Sequence, residues 1–182
     1  MSHLPIWYLS QVPIEQCAQA SEEYKAIAPK AATMGVEGET TNTGERNTTV
    51  RFADKDHWFG KEMFQYGMKS NLECNWGFHL DNFEAVQYAE YGPNQHYHWH
   101  IDTFLLSGKD YDRKVTVVCL MNDPSEFEGG QLQLRFNQQE YDVPLIKGTV
   151  IAFPSFIEHR VTPVTSGVRY TAAMWVNGPR FR

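Results

Sequence analysis

Residues 91–102 read Tyr91-Gly-Pro-Asn-Gln-His96-Tyr-His98-Trp-His100-Ile-Asp102. Gly-Pro-Asn is a turn signal, and the run behind it is aromatic and rich in histidine, without the three- and four-residue apolar spacing of a helix. It predicts a strand entered from a tight turn. The same texture repeats outward over Ala85–Tyr91, His96–Phe104, Lys114–Met121, Gln131–Phe136, Glu140–Ile146, Thr149–Phe153, Ile157–Thr162 and Val168–Val176. Short connections such as Asp-Pro-Ser, Gly-Gly, Asn-Gln-Gln, Lys-Gly and Thr-Ser-Gly separate these runs. Eight short strands with frequent turns predict a mainly β (α+β) fold built on a jelly roll or barrel.

The first half has a different pattern. Pro13 opens a helix carrying Ile14, Cys17, Ala18 and Tyr24 on one stripe, and Pro29 closes it. His57 to Leu72 carries Trp58, Phe59, Met63, Phe64, Tyr66 and Met68, suited to a second helix laid on a sheet. Between them, Met34–Thr49 is rich in Gly, Thr, Asn and Glu and reads as a loop, with a lid or a plain connection as its two readings. The change near residue 84 is expected to lie inside one domain spanning 1–182, with a helical cover over 1–83 and a jelly-roll core over 84–177.

Composition excludes several classes. The chain has 182 residues, 42% hydrophobic and 14% aromatic, enough for a packed core. A net charge of −6 without a basic stripe argues against nucleic acid as a partner. No apolar run reaches the roughly 18 residues of a membrane helix, and Met1–Ser10 lacks the pattern of a signal peptide. A soluble, cytoplasmic protein is therefore expected, its oligomeric state unread. Three cysteines without Cys-x-x-Cys spacing argue against a disulfide framework or a cysteine zinc site.

In a regular strand, positions 96, 98, 100 and 102 share one face, so three imidazoles and a carboxylate could form a metal platform. A His-x-Asp pair alone is weak. A later element, Phe153-Pro-Ser-Phe-Ile-Glu-His159-Arg-Val-Thr-Pro-Val-Thr-Ser-Gly-Val-Arg169-Tyr, strengthens it. Were 157–162 and 168–176 a hairpin turning near residue 164, His159 would face Arg169 within about 5.5 Å at Cβ. Two His and one Asp make a facial triad suited to non-haem Fe(II), and an adjacent guanidinium suits a carboxylate. A ligand that chelates metal at one end and carries a carboxylate at the other, 2-oxoglutarate, satisfies both.

His100-x-Asp102, His159 and Arg169, with Tyr91-Gly-Pro ahead and Glu128-Gly-Gly-Gln-Leu between, resemble the Fe(II)/2-oxoglutarate dioxygenases of the prolyl 4-hydroxylase-like branch. The resemblance covers roughly residues 84–177. It implies a double-stranded β-helix (jelly roll), with His100, Asp102 and His159 as iron ligands and Arg169 on the distal 2-oxoglutarate carboxylate. It also implies that Tyr91 shares that carboxylate, that Thr116 lines the same pocket, and that Trp175 walls the iron. Tyr97 would lie on the substrate side, with Trp175 as a further substrate contact. Apart from the resemblance, Arg46 and Arg51 flank the Met34–Thr49 segment and are expected to steer an acidic or backbone-carbonyl-rich substrate. Leu120 stands where some relatives carry a second tyrosine. The implied cofactors are Fe(II), 2-oxoglutarate and O2, with ascorbate as an accessory. The implied reaction is hydroxylation at C4 of a prolyl residue in a peptide or protein, releasing succinate and CO2.

Other readings stay open on the residues. The same chemistry could act on a free amino acid or small metabolite. A cupin-like metalloprotein without 2-oxoglutarate would use His98 beside His100 and tolerate loss of Arg169. A non-catalytic jelly-roll binding module would turn nothing over. His3, His57 and His79 read as structural, and Glu126 and Glu128 as a solvated turn.

Overall fold

A computed structural model describes residues 5–32, 42–104 and 109–180. The elements in order are β1 (Tyr8–Gln11), α1 (Ile14–Lys25), β2 (Lys30–Ala31), β3 (Arg46–Asn47), β4 (Thr49–Phe52), α2 (Trp58–Glu73), β5 (Asn82–Phe83), β6 (Gln87–Tyr91), β7 (His96–His100) and β8 (Tyr111–Leu120). A 3₁₀ turn (Pro124–Glu126) then leads into β9 (Phe127–Gly129), β10 (Leu132–Phe136), β11 (Gln139–Asp142), β12 (Thr149–Pro154), β13 (Glu158–Val161), β14 (Val164–Gly167) and β15 (Arg169–Pro179). No described helix is long and apolar enough to cross a membrane.

The strands are antiparallel and form two principal sheets. The larger runs β1-β12-β8-β15-β6-β4-β2, with β5 also on β15. The smaller runs β11-β10-β13-β7-β3, and β14 pairs β9 apart from both. Strand alternation splits the central residues between two faces. Val115, Val117 and Cys119 of β8, Ala172, Met174 and Val176 of β15, and Tyr88 of β6 pack under the helices. Their neighbours Thr116, Thr171, Ala173, Trp175, Gln87 and Ala89 point the other way and line a cavity toward the smaller sheet. One sheet therefore serves both a core and a site.

Both helices are held by their buried stripes. Cys17, Ala20, Ser21 and Tyr24 of α1 recur at helical spacing and are buried. In α2, Phe59, Gly60, Met63, Gly67 and Ser70 are buried, and the His57 imidazole caps the first turn by accepting from the Phe59 N–H at 3.3 Å. Gly67 sets the close approach of α2: a Cβ there would lie 2.6 Å from Val176 Cγ2 and 3.2 Å from Val117 Cγ2. The fully buried Phe59 and Met63 each contribute about 1.5–3 kcal/mol through burial alone.

All eight expected strands and both helices are present, and the helices do share a core with the sheet. Three expectations need correction. The segment 1–83 is more than a helical cover: β1, β2 and β4 extend the larger sheet and β3 the smaller. Strands of two to four residues leave no periodic signal in sequence. The expected 34–49 loop is partly ordered into strand, since Arg46 and Asn47 pair with Tyr97 and His96, and Thr49 starts β4. Residues 34–41 of that loop lie outside the described residues. Finally, 157–162 and 168–176 are not a hairpin. Val164–Gly167 peels away to pair with β9, so β13 stays in the smaller sheet while β15 runs through the larger.

Candidate active site

The site lies between the two sheets. β13 places His159 with Leu134 as its partner on one side and His100 on the other. Between the pairs His159↔His100 and Val161↔Tyr97 the register shifts, since two residue steps on β13 answer three on β7. This bulge breaks the expected alternation. Tyr97 and His100 share the inner face, their rings stacked at 3.5 Å with 13° between planes. His96 and His98 are left off the cavity. The His96 ring lies against the Gly44 and Asn94 carbonyls at 3.0 and 3.2 Å, and His98 is exposed. The expected platform of three aligned imidazoles and a carboxylate is thus reduced to His100 and Asp102, and the cupin-like pairing of His98 with His100 loses its geometry.

His159 of the smaller sheet completes the group. Ligand atoms of His100, Asp102 and His159 all lie within 4.8 Å of one another, the only such metal-ligating cluster among the described residues. His159 Nε2 is 3.2 Å from Asp102 Oδ2, and His100 Nε2 is 3.7 Å from Asp102 Oδ1. Each imidazole uses Nδ1 on a main-chain carbonyl, His100 on its neighbour His98 (2.7 Å) and His159 on Ile157 (3.0 Å). A carbonyl only accepts, so Nδ1 carries the hydrogen and Nε2 faces the centre. Asp102 is oriented twice over. Its Oδ2 accepts from Thr116 Oγ1 at 2.8 Å, and its N–H donates to the Ser155 carbonyl at 2.9 Å. Ser155 Oγ lies 3.0 Å from the same threonine hydroxyl.

The electrostatics suit a cation. Burial pushes the Asp102 carboxyl up, but the two imidazoles outweigh it and hold the group well below the ordinary carboxylate range. Burial and the neighbouring His159 push His100 down to about 3, so its Nε2 lone pair is free of a proton at neutral pH. His159 is moved the other way: burial opposes its charge, yet Asp102 wins and raises it. A buried carboxylate flanked by two imidazole nitrogens is costly to leave uncompensated, and the donor set fits a divalent transition metal with open coordination positions.

Arg169 stands at another wall of the same cavity of about 410 Å³. It is 2% exposed and pairs across the ladder with Tyr91, whose ring centre lies 5.6 Å from its guanidinium carbon. Its Nη1 donates weakly to Thr171 Oγ1 at 3.4 Å, and Nε has no hydrogen-bond partner. Burial lowers its pKa to about 10, so it stays charged at neutral pH. No described carboxylate pairs with it. A buried guanidinium with spare donors fits an anionic ligand.

The remaining expected residues divide. Thr116 lines the cavity, but its hydroxyl is spent on Asp102. Trp175, 8% exposed, forms a wall, with the Arg113 guanidinium stacked 3.7 Å above it. Arg51 lies away from the cavity, tied to Glu90 (2.6 Å) and to the Ile27 carbonyl (3.0 Å), so its expected substrate contact has no geometric basis. Sequence reading missed Arg113, held by Glu84 at 2.7 and 2.5 Å, and underrated Arg46, a buried cavity residue 4.6 Å over the Tyr97 ring. It also missed Thr171, which the two-residue period from Arg169 to Trp175 along β15 could have found.

Comparison with known proteins agrees with this geometry. Residues 86–177 match the 2OG-Fe(II) oxygenase superfamily. A PKHD-type hydroxylase of Picosynechococcus sp. is 33% identical over 116 residues, 64% of this chain and 52% of that protein. The chain spans about half the length of the first curated relatives it matches. Among solved structures, a Pseudomonas putida prolyl-4-hydroxylase superposes with a TM-score of 0.71 at 22% identity, covering 97% of this chain and 94% of that one. A Trichoplax adhaerens prolyl hydroxylase, in complex with a hypoxia inducible factor oxygen degradation domain peptide fragment, gives 0.69 at 18% identity over 94% and 83%. At these identities the likeness is one of fold.

Proposed function

The chain belongs to the 2OG-Fe(II) oxygenase superfamily, whose cofactor is Fe(II) and whose cosubstrates are 2-oxoglutarate and O2, and on that premise we propose that it is a dioxygenase hydroxylating C4 of a prolyl residue in a peptide or protein. One observation carries the site assignment: a largely buried His-Asp-His cluster and a buried Arg169 without a described carboxylate partner line the same cavity. In this reading the two sheets form a double-stranded β-helix, and residues 1–182 make one catalytic domain. The substrate rests on the names of relatives, a PKHD-type hydroxylase and prolyl hydroxylases, one of them bound to a peptide.

His100, Asp102 and His159 would hold the metal by Nε2, carboxylate and Nε2. Fe(II), once bound, supplies the oxidative decarboxylation of 2-oxoglutarate to succinate and CO2, with one atom of O2 entering succinate and the other the substrate C–H. Arg169 and Tyr91 grip the distal carboxylate and so orient the keto acid toward the metal ligands. Thr116 and Ser155 keep Asp102 aimed. Trp175, braced by Arg113, excludes water from one side, and Tyr97, stacked on His100, forms the wall toward the substrate.

The test needs no known substrate. Anaerobic protein with Fe(II) and 2-oxoglutarate is expected to show the visible charge-transfer band of a chelated keto acid, lost in His100→Ala. Metal binding without that band would remove 2-oxoglutarate from the reading. Proline-containing peptides would then be screened by mass spectrometry for a gain of about 16 Da, the oxygen atom inserted. Gain on residues other than proline would correct the substrate alone.

A further inference from the structure

Gly130 lies directly behind Arg169. It follows Gly129 at the end of β9, has φ +61°, and its N–H donates to the Pro163 carbonyl at 3.1 Å. A Cβ at this position would meet Arg169 Cδ at 2.8 Å and Val164 Cγ2 at 2.9 Å. Both neighbours are buried, and Gly130 itself is absent from the cavity lining that Arg169 joins. Arg169 is therefore approached at mid-stem, from the side away from the ligand. The Arg169 side chain itself lines the cavity.

We propose that Gly130 is a specificity-determining residue for the cosubstrate: by leaving room behind the Arg169 stem it sets how deep the guanidinium sits, and hence the length of 2-oxo dicarboxylate the cavity accepts. This rests on the reading of Arg169 as partner of the distal carboxylate. A side chain at 130 drives the guanidinium forward by some tenths of an ångström, which shortens the pocket. A five-carbon ligand then overlaps the guanidinium, while a four-carbon ligand meets it sooner. Charge-assisted hydrogen bonds are steep in distance and angle, so a displacement of this size reaches affinity.

The experiment is calorimetric titration of anaerobic Fe(II)-loaded protein with fresh oxaloacetate, 2-oxoglutarate and 2-oxoadipate. Wild type should bind the five-carbon acid best. In Gly130→Ala the ratio of five-carbon to four-carbon affinity should fall by about tenfold, the scale of one weakened ionic hydrogen bond. Gly77→Ala is the control for backbone strain, because Gly77 has φ +72° and open space around the added carbon. It should lose stability and keep the wild-type ratio. Gly130→Asn adds the same Cβ on a residue that takes positive φ more readily, and serves should the alanine variant not fold. An unchanged ratio in either folded Gly130 variant overturns the inference, provided Arg169→Ala has lost 2-oxoglutarate. Wild-type 2-oxoglutarate affinity in Arg169→Ala overturns instead the reading of the arginine itself, and the inference with it.

Discussion

His100 and His159 are direct cross-strand partners, β7 against β13, with ring centres 4.1 Å apart. The pairing sits beside the bulge that turns Tyr97 and His100 to the same face, so a local ladder defect and a long-range strand pair together aim two imidazoles at one point. Asp102, just beyond the end of β7, is drawn into the same point by Thr116 and Ser155.

Removal of a ligand should be decisive. Asp102→Ala and His159→Ala are each expected to reduce Fe(II)-dependent conversion of 2-oxoglutarate to succinate by more than about 100-fold, beyond the range of a lost supporting contact. Succinate release is the measurement. Near-wild-type turnover in His159→Ala would dissolve the triad.

His98→Ala should leave metal affinity and succinate production at wild-type levels, because the bulge keeps His98 off the cavity. Parallel metal titrations of His98→Ala and His100→Ala make the comparison. Equal losses would restore the cupin-like pairing.

Thr116→Val keeps the shape and removes the hydroxyl that donates to Asp102 Oδ2. Metal affinity is expected to fall about 10- to 100-fold, as for other outer-shell partners of metal ligands. Competition with a fluorescent chelator reads it out, and Ser155→Ala should cost less because that hydroxyl touches Asp102 only through Thr116.

Arg169→Ala should raise the apparent KM for 2-oxoglutarate about 10- to 150-fold, the equivalent of the 1.5–3 kcal/mol carried by a charged hydrogen bond, and lower kcat less. Steady-state kinetics over a wide 2-oxoglutarate range separate the two. A fall in kcat at unchanged KM would place Arg169 elsewhere in the reaction.

Gly67→Ala sets helix propensity against packing. Alanine favours the α2 interior by about 0.8–1 kcal/mol, yet its Cβ would stand 2.6 Å from Val176 Cγ2 in a fully buried layer. Overpacking of this kind costs about 1–3 kcal/mol, so net destabilisation in urea unfolding is expected. A more stable variant would show that α2 can lift off the sheet.

Sequence alone carried the class of fold, because hydrophobic alternation and turn residues act over a few neighbours and are visible there. It carried both helices, every long strand, and the choice of His100, Asp102, His159, Arg169 and Tyr91 as one group, which the fold brings around one cavity. It misjudged how they meet. His159 and Arg169 do not meet across a hairpin; the two side chains come to one cavity from opposite sheets because β14 leaves to pair β9. The aligned imidazoles failed for a related reason: a bulge depends on the partner strand's register, which β7 by itself does not encode. Arg51 and Arg46 looked alike in sequence, and only tertiary structure sent one to Glu90 and the other over Tyr97. Residue chemistry and local periodicity are properties of the chain. Which faces oppose, which cation stays without a carboxylate and which glycine must stay bare are set by strand pairing at long range, and exist only once the two sheets have closed on each other.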